Sequence, residues 1–171
     1  MTTRFYSSLR SLTAITFFLA LLALSAIPAT AGEYVSLIGV KGLDSVFSVS
    51  LSSPQMATVV FPAVLDVHQN QEVRALPAAP RTVIVFHGKA VKLTSTDRKG
   101  IDKADIAAYD KVAEIVRQFK KAGIKMEVCI YAAKVLGVDP ATLMPEIDRV
   151  ENGFIAVAGY QAQGYSVVTI P

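Results

Sequence analysis

Cys129 is the only cysteine in a chain of 171 residues, and it stands in KMEVCIYAAKVLG (residues 125–137), between an apolar run and a short helical pattern. As a thiolate, such a side chain attacks sulfur, carries a persulfide or binds soft metal. A helix beginning just after Cys129 favours that anion through its positive end. The second group with chemical reach is His87, which closes the apolar run of RTVIVFHG (residues 81–88) and is followed by Gly88. Ligands of open parallel sheets gather outside the carboxyl ends of the strands. If these two strands are neighbours, thiol and imidazole share one edge; the sequence alone does not say whether they are.

Each residue also has a plainer reading. Free cysteine is among the most buried residue types, and Val128 and Ile130 flank Cys129 with apolar bulk. A histidine before a glycine at a strand end can simply hydrogen-bond a loop carbonyl. His68, in DVHQNQE, reads as solvated. GYQAQGY (residues 159–165) reads as a glycine-capped helix end leading into a strand, or as a polar lip beside the active edge, or as a subunit contact rich in tyrosine.

Other chemistries find no support. The sequence has no GxGxxG after a strand, no GxxxxGK[ST] and no GxSxG. Two histidines and a single cysteine make a poor zinc set. The carboxylates look scattered over helix starts and surfaces, and the methionines follow core spacing. No cofactor and no metal are expected.

The amino end gives an address. Residues 1–10 carry Arg4 and Arg10 and no acid, LTAITFFLALLAL (residues 12–24) is uncharged and apolar, and Ala29-Thr30-Ala31 has the small-x-small form of a cleavage site. Residues 1–31 are therefore read as a secretory signal peptide, with an uncleaved amino-terminal anchor as the alternative. The mature chain then begins near Gly32 in the periplasm, with no membrane attachment. Removing two of the seventeen basic residues leaves fifteen against fourteen acidic ones, so the mature net charge is about +1. Nothing basic enough for nucleic acid remains. With one cysteine there is no internal disulfide, and stability must come from packing.

The elements that would position these residues follow from periodicity. Residues 32–56 read as a short amino-terminal extension holding at most one edge strand or hairpin, with VFSVSL alternating like a half-buried strand. ATVVF (residues 57–61) reads as a β-branched run stopped by Pro62, and residues 64–76 as a short helix or turn. RTVIVF is the strongest strand, a continuous apolar run covered on both faces. A long helix follows, capped by Asp102 or Asp105, with apolar residues from Ile106 to Phe119 at helical spacing and Gly123 after its end. Strands at 124–131, 147–150 and 165–170, with short helices between them, complete the pattern. Strands alternating with helices argue for one α/β domain, a three-layer α/β/α sandwich on a mainly parallel five-stranded sheet.

A strand ending in HG, a long helix, the strand IKMEVC with a small helix behind it, then ENGF, QAQGY and a last strand resemble the DsrE/DsrF-like proteins over residues 57–171. That resemblance implies a small α/β domain that assembles as a trimer or hexamer. The characterised sulfur-relay members carry a persulfide on a cysteine, while others lack that cysteine or have no assigned activity. Here Cys129 falls where many members place theirs, His87 and Gly88 match the HG strand end, and Gln161, Gly164 and Tyr165 match the terminal motif. The implied function is periplasmic sulfur handling, with Cys129 carrying sulfane sulfur between a donor and an acceptor, protein or small sulfur compound. His87, Gly88, Gln161 and Tyr165 are the residues expected around its pocket. A non-catalytic oligomeric binding module with an inert cysteine is the alternative. A lone thiol suits a carrier, because no second thiol on the domain discharges the persulfide.

Overall fold

The computed structural model describes residues 34–171, so the expected signal peptide lies outside the described residues. Five strands form one sheet: β1 (Asp44–Val49), β2 (Arg81–Phe86), β3 (Lys125–Cys129), β4 (Asp148–Val150) and β5 (Ser166–Ile170). Their order is β4-β3-β2-β1-β5, and every neighbouring pair is parallel. The helices are α1 (Pro54–Gln69), the single turn α2 (Gln71–Arg74), α3 (Lys103–Lys121), α4 (Ile130–Val135) and α5 (Gly153–Ala162). A 3-10 segment, Gly88–Thr94, follows β2.

The alternation of β1 to β3 divides the core. Phe47, Val49, Ile84, Phe86, Met126 and Val128 point to one face, where α1 and α3 supply Phe61, Val64, Val112, Val116 and Phe119. Phe61 fixes this layer, its ring 5.9 Å from both Phe86 and Phe119. Val46, Val83 and Val85 point to the other face, with Tyr165 and, from α5, Ala156, Val157 and Tyr160. The result is the three-layer sandwich expected from the alternation of strands and helices.

Three expectations need correction. The strand in VFSVSL exists, but it is no edge: β1 pairs with β2 on one side and β5 on the other. Its serines gave the look of a solvated face, yet Ser48 and Ser50 are both half-buried, Ser48 against His87. ATVVF is helical, and the helix passes through Pro62. Ser53 caps it by accepting the Met56 N–H, and Pro54 occupies the first turn, where its missing N–H costs nothing. Ala57, Phe61 and Val64 are the buried face at helical spacing, and Pro62 sits on the exposed side. Finally, His68 is not solvated. Its Nδ1 lies 3.0 Å from Thr82 Oγ1 and its Nε2 3.1 Å from the Ala122 carbonyl oxygen, so it ties α1 to β2 and to the end of α3.

The long helix is as expected. Asp102 is its cap, accepting the Ala104 N–H at 2.9 Å, and Lys120 and Lys121 lie in its last turn. Among the described residues no helix is long and apolar enough to cross a membrane.

Candidate functional site

β2 and β3 are adjacent, with Phe86 opposite Val128. The residues that follow, His87 and Cys129, therefore stand side by side at the carboxyl edge of the sheet. His87 extends the ladder through its N–H to the Val49 carbonyl at 2.9 Å. The chain then turns at Gly88, whose φ of +50° is a left-handed conformation that glycine adopts without Cβ strain. Cys129 is the cap of α4, and its Sγ accepts the Ala132 N–H at 3.4 Å.

The third element arrives from below. Asn152 caps α5 by accepting the Phe154 N–H at 2.9 Å, which seats Gly153 directly between the two strand ends. A Cβ on Gly153 would lie 3.0 Å from Cys129 Cβ, 3.1 Å from His87 Cβ and 3.5 Å from Cys129 Sγ. Only a residue without a side chain allows this approach. Phe154 then places its ring 5.2 Å from the His87 imidazole.

Together these residues wall a half-open cleft of about 250 Å³, lined by His87, Gly88 and Cys129 and by Tyr131, Val135 and Phe154 at its mouth. The lining is almost wholly apolar. Cys129 is 4% exposed, at the floor of the cleft. Phe154, by contrast, is 70% exposed at the rim. His87 Nε2 lies 2.8 Å from Ser48 Oγ, and burial pushes the imidazole pKa below its ordinary value. His87 is therefore a neutral ring at pH 7, held by β1 and not hydrogen-bonded to the sulfur.

Gln161 and Tyr165 are elsewhere. Helix α5 starts at the carboxyl edge beside Cys129 and runs back across the sheet, so its far end lies roughly 15 Å away at 1.5 Å per residue. Gln161 is exposed there, and Tyr165 packs on Tyr160 at 5.2 Å with the Arg81 guanidinium 4.9 Å from its ring centre. The structure joins His87 and Gly88 to Cys129 and leaves Gln161 and Tyr165 at the opposite edge. The polar-lip reading of GYQAQGY therefore does not hold, because a helix antiparallel to its strands carries its last turn away from their carboxyl ends.

Sequence reasoning missed Gly153, Phe154 and Val135. The ENGF stretch held the signal for two of them: a capping Asn followed by Gly and a large apolar residue that the helix periodicity does not need. It also missed Glu127, which sits in mid-strand and is buried, not scattered over the surface. Glu127 Oε1 accepts from Lys125 Nζ at 2.8 Å and from the Tyr160 hydroxyl at 2.7 Å. These two donors compensate the buried carboxylate, and the pair pushes the Lys125 pKa well above its usual range. Among the described residues no group of three or more His, Cys, Asp or Glu is placed to hold a metal ion.

The parallel five-stranded α/β fold is shared with the solved structures that this chain resembles. The chain belongs to the DsrE/DsrF-like family, whose model matches residues 2–170. This family is connected in general with sulfur relay. A solved structure of MTH1491 from Methanobacterium thermoautotrophicum, described as a protein of unknown function, is similar with a TM-score of 0.54 and 16% identity, covering 74% of this chain and 98% of that one. BT1422 from Bacteroides thetaiotaomicron, described likewise, has a TM-score of 0.51 and 16% identity over 74% of this chain and 95% of its own. At such identities these likenesses establish the fold. No curated protein matches the chain significantly.

Proposed function

We propose that this protein carries sulfane sulfur as a persulfide on Cys129, working in the periplasm after removal of residues 1–31 as a signal peptide. The observation that carries this reading is the placement of the one thiol at the floor of an apolar, half-open cleft, with the Ala132 amide donating to its sulfur. In the transfer step the Cys129 thiolate attacks the outer sulfur of a persulfide R–S–SH. The S–S bond of Cys–S–SH forms, the S–S bond of the donor breaks, and its electron pair leaves on R–S⁻. A later acceptor thiolate reverses the sequence. The apolar walls keep water and bulky oxidants from the persulfide, and no second cysteine can discharge it within the chain.

The reading includes self-assembly into a trimer or hexamer. Helix α5 presents Phe154 and Ile155 to solvent, and an apolar face of that kind is commonly covered by a subunit. The test of the carrier is mass spectrometry after incubation with an organic persulfide. The wild type gains about 32 Da per sulfur, lost on reduction, and Cys129→Ser gains none. Absence of that gain in the wild type refutes the carrier.

A second reading, a binding module with an inert thiol, is favoured by one observation: Cys129 is 4% exposed. Labelling with a maleimide separates the two. A carrier reacts in the native state, whereas an inert thiol reacts only after denaturation.

A further inference from the structure

The cleft above Cys129 has a chemical character that bears on what can bring sulfur to it. Its one lysine, Lys89, is solvent-exposed, so its charge is screened by water and salt. No acidic residue lines it. Three polar atoms near the sulfur are already engaged within the protein. His87 Nε2 is bound to Ser48, Asn152 Oδ1 to the Phe154 amide, and the Ala132 amide to Cys129 Sγ itself. An anion descending to the sulfur would shed its water against walls that are almost wholly apolar, which is costly. An apolar group would instead meet Tyr131, Val135, Leu136 and Phe154. The volume of about 250 Å³ is below the roughly 300–1,000 Å³ of drug-sized pockets, which suits a single ring or short alkyl group.

Resting on the sulfur-carrier reading, we infer that the cleft selects sulfur donors and acceptors whose sulfur rides on a small, uncharged, apolar group, and disfavours thiosulfate, inorganic polysulfide and other compact anions. In this exchange the cleft binds R of R–S–SH, its outer sulfur passes to Cys129, and R–S⁻ departs with the electron pair of the broken bond. Val135 and Phe154 set the preference at the mouth. Both are largely exposed, so substitution there alters the cleft without removing core volume.

The experiment compares benzyl persulfide with glutathione persulfide, which carries charged groups on the same reactive sulfur. For each donor the rate of sulfur gain by the native protein is divided by the rate for the urea-unfolded chain, which cancels the donor's own reactivity. The expected ratio favours the benzyl donor by about tenfold or more. In Val135→Glu the preference collapses. A second measurement needs no sulfur transfer: benzyl methyl sulfide shifts the backbone amide resonances of Ala132 and Gly153, and S-methylglutathione does not. Equal normalised rates for the two donors overturn the inference and leave the carrier standing. So do cleft amides that respond to S-methylglutathione as strongly as to the benzyl thioether, or to neither. If benzyl methyl sulfide binds and neither persulfide loads Cys129, the carrier reading is what falls.

Discussion

Replacing Gly153 with alanine tests how tightly the three elements of the site are locked. The new methyl carbon would stand 3.0 Å from Cys129 Cβ and 3.1 Å from His87 Cβ, against about 3.5–4.0 Å for a relaxed carbon contact. Both neighbours are first side-chain atoms on backbone held in the sheet, so no rotamer change relieves them. The first turn of α5 must lift by roughly half an ångström or more. Overpacking of this kind costs about 1–3 kcal/mol. Alanine returns about 0.4–1 kcal/mol by restricting the unfolded chain. The net expectation is a loss of about 0.5–2 kcal/mol, read as a lower urea midpoint at unchanged slope in far-UV circular dichroism, or as a melting temperature lower by about 2–8 °C. Because α5 carries Phe154, the His87 ring resonances move as well. A variant as stable as the wild type, with those resonances unmoved, refutes the close approach on which the site is built.

Two further expectations concern charge. Burial lowers the His87 pKa, so between that lowered value and the ordinary 6.5 the unfolded chain binds more protons than the folded one, and stability falls as pH drops through this window. Ring titration by NMR should give a midpoint below 6.5, and His87→Gln should flatten this part of the stability profile; a midpoint at or above 6.5 contradicts the burial argument. Tyr160→Phe removes one of the two donors to the buried Glu127 carboxylate and should cost about 1–3 kcal/mol. Unchanged urea stability would mean that water replaces the hydroxyl.

Much of the fold was legible because its signals are local. RTVIVF and IKMEVC are continuous apolar runs, and the long helix has both a capping aspartate and an apolar stripe from Ile106 to Phe119. What misled was burial by something distant. Ser48 looks solvated in VFSVSL, and only the packing of α5 and the ring of His87 draws it inward. Thr58, Val59 and Val60 favour strand by type, yet the Ser53 cap and the spacing of Ala57, Phe61 and Val64 decide for helix. At the site, Cys129, His87 and Gly88 could be named because the first ends a strand and the other two directly follow one. Gly153 was passed over, since the signal in ENGF takes on meaning only once the neighbouring strands are known. Gln161 and Tyr165 were displaced by the direction of α5, which a motif does not encode.

The pairing of β1 with β5 joins the first strand of the sheet to the last. Asp44–Val49 therefore lacks one of its two hydrogen-bonding neighbours until Ser166–Ile170 has been synthesised. A nascent chain that has not yet reached Ser166–Ile170 holds an open, unpaired ladder next to β2, the strand that leads to His87. Completion of this sheet consequently waits on residues far apart in sequence, Ser45 pairing with Ser166, and such distant closure makes for slow folding. The cleft reaches its final shape only when the two ends of the described domain have met.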